Sequence, residues 1–140
     1  MLILDYENSC EDIARLEKEI FKFSSYSKKE IEEMLENKSM YKFISAKEDG
    51  KILGYIIIFD NSESLEIMKI GVIPEARKRG IGTLLIKEMK KMEKDIFLEV
   101  RENNMTAISF YKENFFVEVG KRKNYYKDTG EAAIIMCWNR

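Results

Sequence analysis

The sequence predicts an α+β fold in which a mixed, mostly antiparallel central sheet is flanked by helices. Apolar residues at helical spacing come first, three strand-like segments joined by short turns follow, and helix and strand patterns then alternate. One proline and seven glycines punctuate the chain, and no repeat or low-complexity linker divides it. We therefore expect a single domain over residues 1–140.

The N-terminal third predicts a short strand and two helices. Residues 2–6 are a candidate strand, and helical spacing starts at Ser9. The apolar face of the first helix carries Ile13, Leu16, Ile20 and Phe21. Ser27 followed by Glu30 resembles a capping box. It predicts a second helix whose apolar residues are Ile31, Met34 and Leu35.

The middle of the chain predicts a three-stranded antiparallel meander over residues 41–46, 51–59 and 64–72. Glu48-Asp49-Gly50 is a hairpin signal between the first two strands, and residues 60–63 form the second turn. The strand over 51–59 is apolar on both faces, so we expect it to be central in the sheet.

The remaining elements are a helix from about Gly82, a strand over 96–100, a helix over 105–113, and strands over 116–120 and 132–138. In the helix from Gly82, the predicted inward residues are Leu84, Leu85, Met89 and Met92. The predicted outward residues are Lys87, Glu88, Lys90 and Lys91.

Composition excludes several classes of function. The chain has 24 basic and 25 acidic residues and a net charge of -1, so nothing general favours a nucleic-acid or membrane partner. It has no histidine and no CxxC pair, which argues against a zinc site, a Ser-His-Asp triad and a Cys-His dyad. We expect no metal, reduced Cys10 and Cys137, and a cytoplasmic location, since no signal peptide or membrane span is evident.

A basic glycine turn precedes the third predicted helix. Its residues are Arg77, Lys78, Arg79, Gly80, Ile81, Gly82 and Thr83. Glycines allow close approach of the backbone, and helix N-terminal amides favour an anion such as phosphate. The turn lacks the Lys-Ser/Thr of a Walker loop, and Leu85 stands where a dinucleotide fingerprint needs its third glycine. The glycines alone favour a basic surface loop over an anion site, because a Gly-x-Gly pattern is weak evidence.

Together with the preceding strand, the turn resembles the main motif of the GNAT acetyltransferase superfamily. The matching residues are Ile70-Gly71-Val72-Ile73-Pro74 and Arg77-x-x-Gly80-x-Gly82. A second match is Asn104-x-x-Ala107-x-x-x-Tyr111. The resemblance implies a GNAT fold whose sheet is splayed at an acetyl-CoA site. It implies that Ile70, Gly71, Val72, Asn104 and the turn from Arg77 to Thr83 bind acetyl-CoA.

The segment Leu98-Glu99-Val100-Arg101 is similar to the ribosomal-protein-alanine N-acetyltransferases, the RimI type. That resemblance implies that Glu99 is the general base and Tyr111 the general acid. From the residues alone, Glu99 also fits a solvated strand face and Tyr111 a core tyrosine.

Two further segments imply peptide contacts in the same subfamily. Asn124, Tyr125 and Tyr126 match a substrate loop of the pattern Asn-Tyr-Tyr-x-x-x-Gly-x-x-Ala, and Tyr26 replaces the tryptophan of Phe-x-x-x-x-Trp-Ser. Asn114-Phe115-Phe116 departs from the family's Leu-Gly-Phe. Because asparagine tolerates the left-handed conformation, we expect that turn to shift onto Asn114.

The resemblance implies transfer of an acetyl group from acetyl-CoA to the N-terminal α-amine of a protein. The expected acceptor is a ribosomal protein with an N-terminal alanine. Acceptors of another kind, a lysine side chain or a small amine, stay open, as does a non-catalytic coenzyme A-binding module.

Overall fold

Seven strands form one sheet in the order β1-β2-β3-β4-β5-β7-β6, in a computed structural model that describes residues 1–140. The strands are β1 Leu2–Asp5, β2 Tyr41–Glu48, β3 Lys51–Asp60, β4 Leu65–Val72, β5 Ile96–Arg101, β6 Val117–Arg122 and β7 Ala133–Trp138. The helices are α1 Cys10–Ile20, α2 Lys28–Glu36, α3 Ile81–Lys90 and α4 Met105–Glu113. Only the β4–β5 pair is parallel, so the predicted mixed, mostly antiparallel α+β sheet is confirmed.

Local sequence signals fix several element boundaries. The Ser27 side chain accepts from the Glu30 amide and Glu30 accepts from the Ser27 amide, so the predicted capping box starts α2. The Ser9 side chain caps α1 by accepting from the Asp12 amide. The β2–β3 hairpin turns at Asp49 and Gly50, which both have positive φ, as such a two-residue turn requires.

Alternation along β3 shows which helices cover which face of the sheet. Gly54 points to α3, since a Cβ there would lie 3.0 Å from Cγ2 of Ile81. The next residue, Tyr55, points the opposite way and bonds Glu17 of α1. We call these the α3 face and the α1 face. Helix α4 joins the α3 face, because the Phe110 ring packs against Gly82 in the first turn of α3.

The sheet splits between β4 and β5. Their only residue pairs are Leu65 with Ile96 and Glu66 with Phe97, while β4 stays paired with β3 as far as Val72. Residues 67–72 therefore keep one backbone edge free on the β5 side. This is the splay that the resemblance to the GNAT superfamily implies.

The sheet centre is apolar on both faces, as predicted. Ile56, Ile57 and Ile58 of β3 are all fully buried. The helices that cover them are short, and the longest has 11 residues. None is long and apolar enough to cross a membrane.

The predicted orientation of α3 is wrong in part. Lys90 is half-buried and donates to the Asn114 carbonyl at 2.7 Å, with its Nζ 4.7 Å from the centroid of the Trp138 ring. Burial lowers the pKa of Lys90. On the inward side, Leu84 is only half-buried, and Met92 lies beyond the helix end. The α4–β6 connection covers the face that the α3 pattern assigns to solvent.

The expected shift of the left-handed turn onto Asn114 is also wrong. Asn114 has φ -96 and Phe115 has φ 71, so the strained position is the one where relatives carry glycine. Asn114 is buried instead, and its Nδ2 donates to the Phe110 carbonyl at 2.9 Å. Through that bond Asn114 caps the C-terminus of α4 with a negative φ. The next residue, the exposed Phe115, therefore adopts the positive φ.

Phe115→Gly should stabilise the fold by about 1 kcal/mol relative to Phe115→Ala, because only glycine relieves the Cβ clash at positive φ. Both variants lose the aromatic ring, so the alanine variant is the matched control. Urea unfolding would measure the difference in the free energy of unfolding. Equal stability of the two variants would show that Phe115 stores no strain.

Candidate functional site

The basic turn leads directly into the N-terminus of α3, where backbone amides can bind an anion. Lys78 and Gly80 both have positive φ, 65° and 79°. Gly80 is the N-cap and provides no side-chain acceptor. The amides of the first turn, at Ile81, Gly82 and Thr83, therefore stay available to a ligand.

The three cations of the turn differ in their partners. Arg79 donates to the Glu48 carboxylate through Nη2 at 2.8 Å and through Nη1 at 3.3 Å. The Nε of Arg77 donates to the Val72 carbonyl at 3.2 Å. Lys78 is exposed and has no carboxylate within ion-pair distance. Lys78 is thus the cation of the turn that no protein group engages. Ile81 buries its side chain, so only its backbone can face a ligand.

Two glycines of the predicted site allow close packing of neighbours. A Cβ at Gly71 would lie 2.9 Å from the Phe21 ring, at the end of α1. A Cβ at Gly82 would lie 2.9 Å from the Phe110 ring of α4. The free edge of β4, with Ile70, Gly71 and Val72, and the start of α3 are therefore held against α1 and α4.

Helix α4 contributes an amide and a phenol. Asn104 is the N-cap, and its Oδ1 accepts from the Ala107 amide at 3.2 Å, which leaves its Nδ2 free to donate. Tyr111 is 8% exposed, and its ring packs edge-on against Phe110 and Phe116. Burial raises the pKa of Tyr111. A groove along this helix is lined by Met105, Thr106, Ser109, Phe110 and Glu113.

Glu99 lies in a cleft on the α1 face, just beyond the β4–β5 divergence. Its side chain is 21% exposed, and its Oε1 is 3.8 Å from Nη2 of Arg122. The cleft has a volume of about 260 Å³. Its lining consists of Phe59, Asn61, Ser64, Leu65, Glu66, Phe97, Leu98, Glu99, Arg122 and Ile135. The carboxylate is therefore neither in the core nor on an open face.

The β6–β7 loop brings two tyrosines to this cleft. The rings of Tyr125 and Tyr126 meet edge-on at 5.2 Å, and the Arg101 guanidinium lies 4.0 Å from the centroid of the Tyr126 ring. The negative charge of Glu99 raises the pKa of Tyr125. Asn124 is exposed and has φ 52, so it shapes the loop beside them.

A buried ion cluster fixes the α1–α2 loop, which carries Tyr26. Glu17 is fully buried and accepts from the Tyr26 amide at 2.9 Å and from the Tyr55 hydroxyl. Lys69 of β4 lies 3.3 Å from Glu17 and donates to the Ser24 carbonyl at 2.6 Å. Burial, and then the charge of Glu17, raises the pKa of Tyr26 to about 12.

Sequence reasoning missed Glu17, Lys69 and Glu66. A signal for Glu17 exists, because it follows Ile13 by four residues and so lies on the apolar face of α1. For Glu66 and Lys69 of β4, strand alternation does not reveal the shared face. A bulge at Met68, between the Ile57–Lys69 and Ile58–Ile67 pairs, shifts the alternation by one residue. The bulge puts Glu66 and Lys69 on one face although they are three residues apart.

These parts together suit acyl transfer to an amine. The turn suits an anionic group, the free edge of β4 offers backbone partners, and the Glu99 carboxylate lies beside the gap between β4 and β5. No group of three or more His, Cys, Asp or Glu side chains is arranged to hold a metal ion.

Comparison with known proteins identifies relatives of this arrangement. A sequence profile of the Acetyltransferase (GNAT) family matches residues 8–115. A Bacillus subtilis protein provisionally named a ribosomal protein bS18-alanine N-acetyltransferase is 36% identical over 109 residues, which cover 74% of this chain and 72% of that protein.

Two solved structures share the fold. The crystal structure of the ribosomal-protein-S18-alanine N-acetyltransferase from Escherichia coli has a TM-score of 0.86 and 25% identity, and covers 98% of this chain and 92% of that one. Arabidopsis thaliana NAA60 in complex with acetyl-CoA has a TM-score of 0.84 at 21% identity, with both chains covered completely.

Lys69→Met should lower the free energy of unfolding by about 3 kcal/mol or more, since it leaves the buried Glu17 carboxylate without its cation. Lys91→Met is the matched control. Lys91 pairs with Glu88 at 2.9 Å but is 74% exposed, so its loss should cost less than about 1 kcal/mol. Urea unfolding would measure both. Equal effects would contradict a structural role for the buried pair.

Proposed function

The chain belongs to the acetyltransferase (GNAT) family, and we propose that it transfers the acetyl group of acetyl-CoA to the N-terminal α-amine of a protein. Family membership confirms the predicted class of enzyme, an acetyl-CoA-dependent N-acetyltransferase. As the acceptor we propose a ribosomal protein with an N-terminal alanine. Names of similar proteins from Bacillus subtilis and Escherichia coli support this choice.

The site residues fit acetyl-CoA. Lys78 and the free amides of Ile81, Gly82 and Thr83 would hold the pyrophosphate. The unpaired edge of β4 at Ile70–Val72 would pair with the amide groups of the pantetheine arm. The free Nδ2 of Asn104 is a further donor from the other side of the gap. Arg79, already bonded to Glu48, would contribute mainly by its charge.

The observation that carries the proposal is the position of Glu99 beside the β4–β5 gap, in a cleft bordered by tyrosines. An α-amine has a pKa of about 8, so part of it is neutral near pH 7. The neutral amine attacks the thioester carbonyl, and Glu99 accepts the proton that the nitrogen loses as the N–C bond forms. No covalent enzyme intermediate is required.

Tyr111 is suited to the other proton transfer. As the tetrahedral intermediate collapses, the C–S bond breaks and the departing thiolate needs a proton. A phenol that burial keeps protonated can donate it. Proton exchange with water then returns Tyr111 and Glu99 to their starting states, so the reaction is balanced.

Three tyrosines lie near the cleft carboxylates, where a peptide acceptor would bind. Tyr26, Tyr125 and Tyr126 offer ring faces and hydroxyl groups to the first residues of a peptide. The buried Glu17–Lys69 pair holds the Tyr26 loop in place.

The acceptor is tested with acetyl-CoA and two peptides of one sequence, one with a free N-terminal alanine and one with that terminus blocked, each containing an internal lysine. We expect release of coenzyme A with the free peptide only, and mass spectrometry should find the acetyl group on the first residue. Acetylation of the blocked peptide at lysine would contradict the N-terminal proposal.

Glu99→Gln should lower kcat by roughly 100-fold, the usual contribution of a general base, and leave acetyl-CoA affinity within about twofold. Glu118→Gln is the matched control, since Glu118 is exposed on β6 and does not line the cleft. Steady-state kinetics and calorimetric titration with acetyl-CoA would measure the two effects. An unchanged kcat would remove Glu99 from the base role.

A further inference from the structure

The acceptor cleft contains a second carboxylate. Glu66 of β4 lies opposite Phe97 of β5, in the last pair before the strands diverge. Glu99 follows Phe97 by two residues, so the side chains of Glu66 and Glu99 leave the sheet on the same face. Both line the same cleft. A substrate that enters the cleft therefore meets two carboxylates from neighbouring strands.

The charges around these carboxylates are unbalanced. Glu66 is half-buried, and Arg122 of β6 pairs with Glu99 and with no other carboxylate. The ionisable groups facing Glu66 are Glu99, Arg122, Tyr26 and Tyr125. Burial, and then the charge of Glu99, raises the pKa of Glu66, while Arg122 opposes the shift. The cleft is thus suited to receive one more cation.

The chemistry of the acceptor calls for two proton acceptors. At neutral pH an α-amine with a pKa of about 8 is mostly the ammonium form. Its nitrogen carries three protons, and the nitrogen of the product amide carries one. Two protons must therefore leave, and one carboxylate in its ionised form can accept only one of them.

We propose that Glu66 is the first proton acceptor of the reaction: it binds the acceptor as an ammonium ion and takes one proton, and Glu99 then takes the second. This proposal rests on the proposed N-acetyltransferase function and deepens it. The neutral amine forms the N–C bond, the C–S bond breaks, and Tyr111 protonates the thiolate. Afterwards one carboxylic acid returns its proton to Tyr111, and the other releases its proton to water.

The test is the pH dependence of kcat/KM for Glu66→Gln, with the free N-terminal alanine peptide. Near pH 6 only about 1% of the amine is neutral, so the variant should be at least roughly tenfold slower than wild type. Near pH 9.5 nearly all of the amine is neutral, and the two rates should agree within about twofold. Glu99→Gln should stay slow throughout.

Two controls separate this role from a structural one. Glu66→Asp keeps a carboxylate and should recover part of the rate near pH 6. Glu66→Gln should fold normally. A carboxyl whose pKa is raised on folding costs stability at pH values above its unfolded pKa. Its removal should therefore leave the free energy of unfolding at pH 7 unchanged or higher.

The outcomes are distinct. Equal rates of wild type and Glu66→Gln at every pH, or one constant ratio across the range, would overturn the role of Glu66 alone. A wild-type enzyme that acetylates only internal lysines would overturn the proposed N-terminal acceptor. In that case the two profiles should converge about two pH units higher, because a lysine amine has a pKa of about 10.4. Glu66 would then keep its role.

Discussion

β4 and β5 remain paired for only two residues, and the functional site depends on the gap that opens beyond them. A sheet normally satisfies its backbone groups with the next strand, so an interior strand with a free edge needs another partner. β3 continues to hold the other edge of β4 as far as Val72. The gap therefore remains open without loss of the sheet, and a ligand with amide groups can complete it.

In the proposed reaction, each element around the gap would supply one part of the chemistry. α3 begins directly after β4, and its first-turn amides lack a capping side chain. β5 carries Glu99 on the α1 face, while Tyr111 comes from α4, which packs with α3 on the opposite face. In the proposed reaction, Glu99 would accept a proton and Tyr111 would donate one.

Several features of the site and its surroundings lower the stability of the fold. Lys78 takes a left-handed conformation that costs a non-glycine residue energy, and Glu66 and Glu99 bring like charges to one cleft. The buried Glu17–Lys69 pair is also expensive to desolvate, and its hydrogen bonds to the α1–α2 loop offset part of that cost. The unbalanced charge of Glu66 and Glu99 lies in the cleft where a cationic acceptor would relieve it.

Structural features that depend only on neighbouring residues are predicted well from the sequence. The Ser27–Glu30 capping box and the Asp49-Gly50 turn form as expected because each needs only neighbouring residues. The predicted site residues remain predictions, although the structure brings Glu99 and Tyr125 to one cleft.

Contacts between distant segments could not be predicted in the same way. Lys90 is half-buried because the connection after α4 covers it, and Arg79 is engaged by Glu48 of another hairpin. Glu66 was missed because the bulge at Met68 breaks the two-residue alternation on which strand patterns rely. Such effects arise from tertiary packing between residues that are far apart in the sequence, so a short stretch of sequence does not reveal them.

Hydrogen exchange of the backbone amides, with and without acetyl-CoA, would locate the cofactor in the sheet. We expect slower exchange on binding in two segments, the free edge of β4 over 67–72 and the first turn of α3 at Ile81–Thr83. The edge strand β6 should exchange at the same rate in both states. Protection that spares both segments, or that falls on β6 instead, would contradict a cofactor seated in the β4–β5 gap.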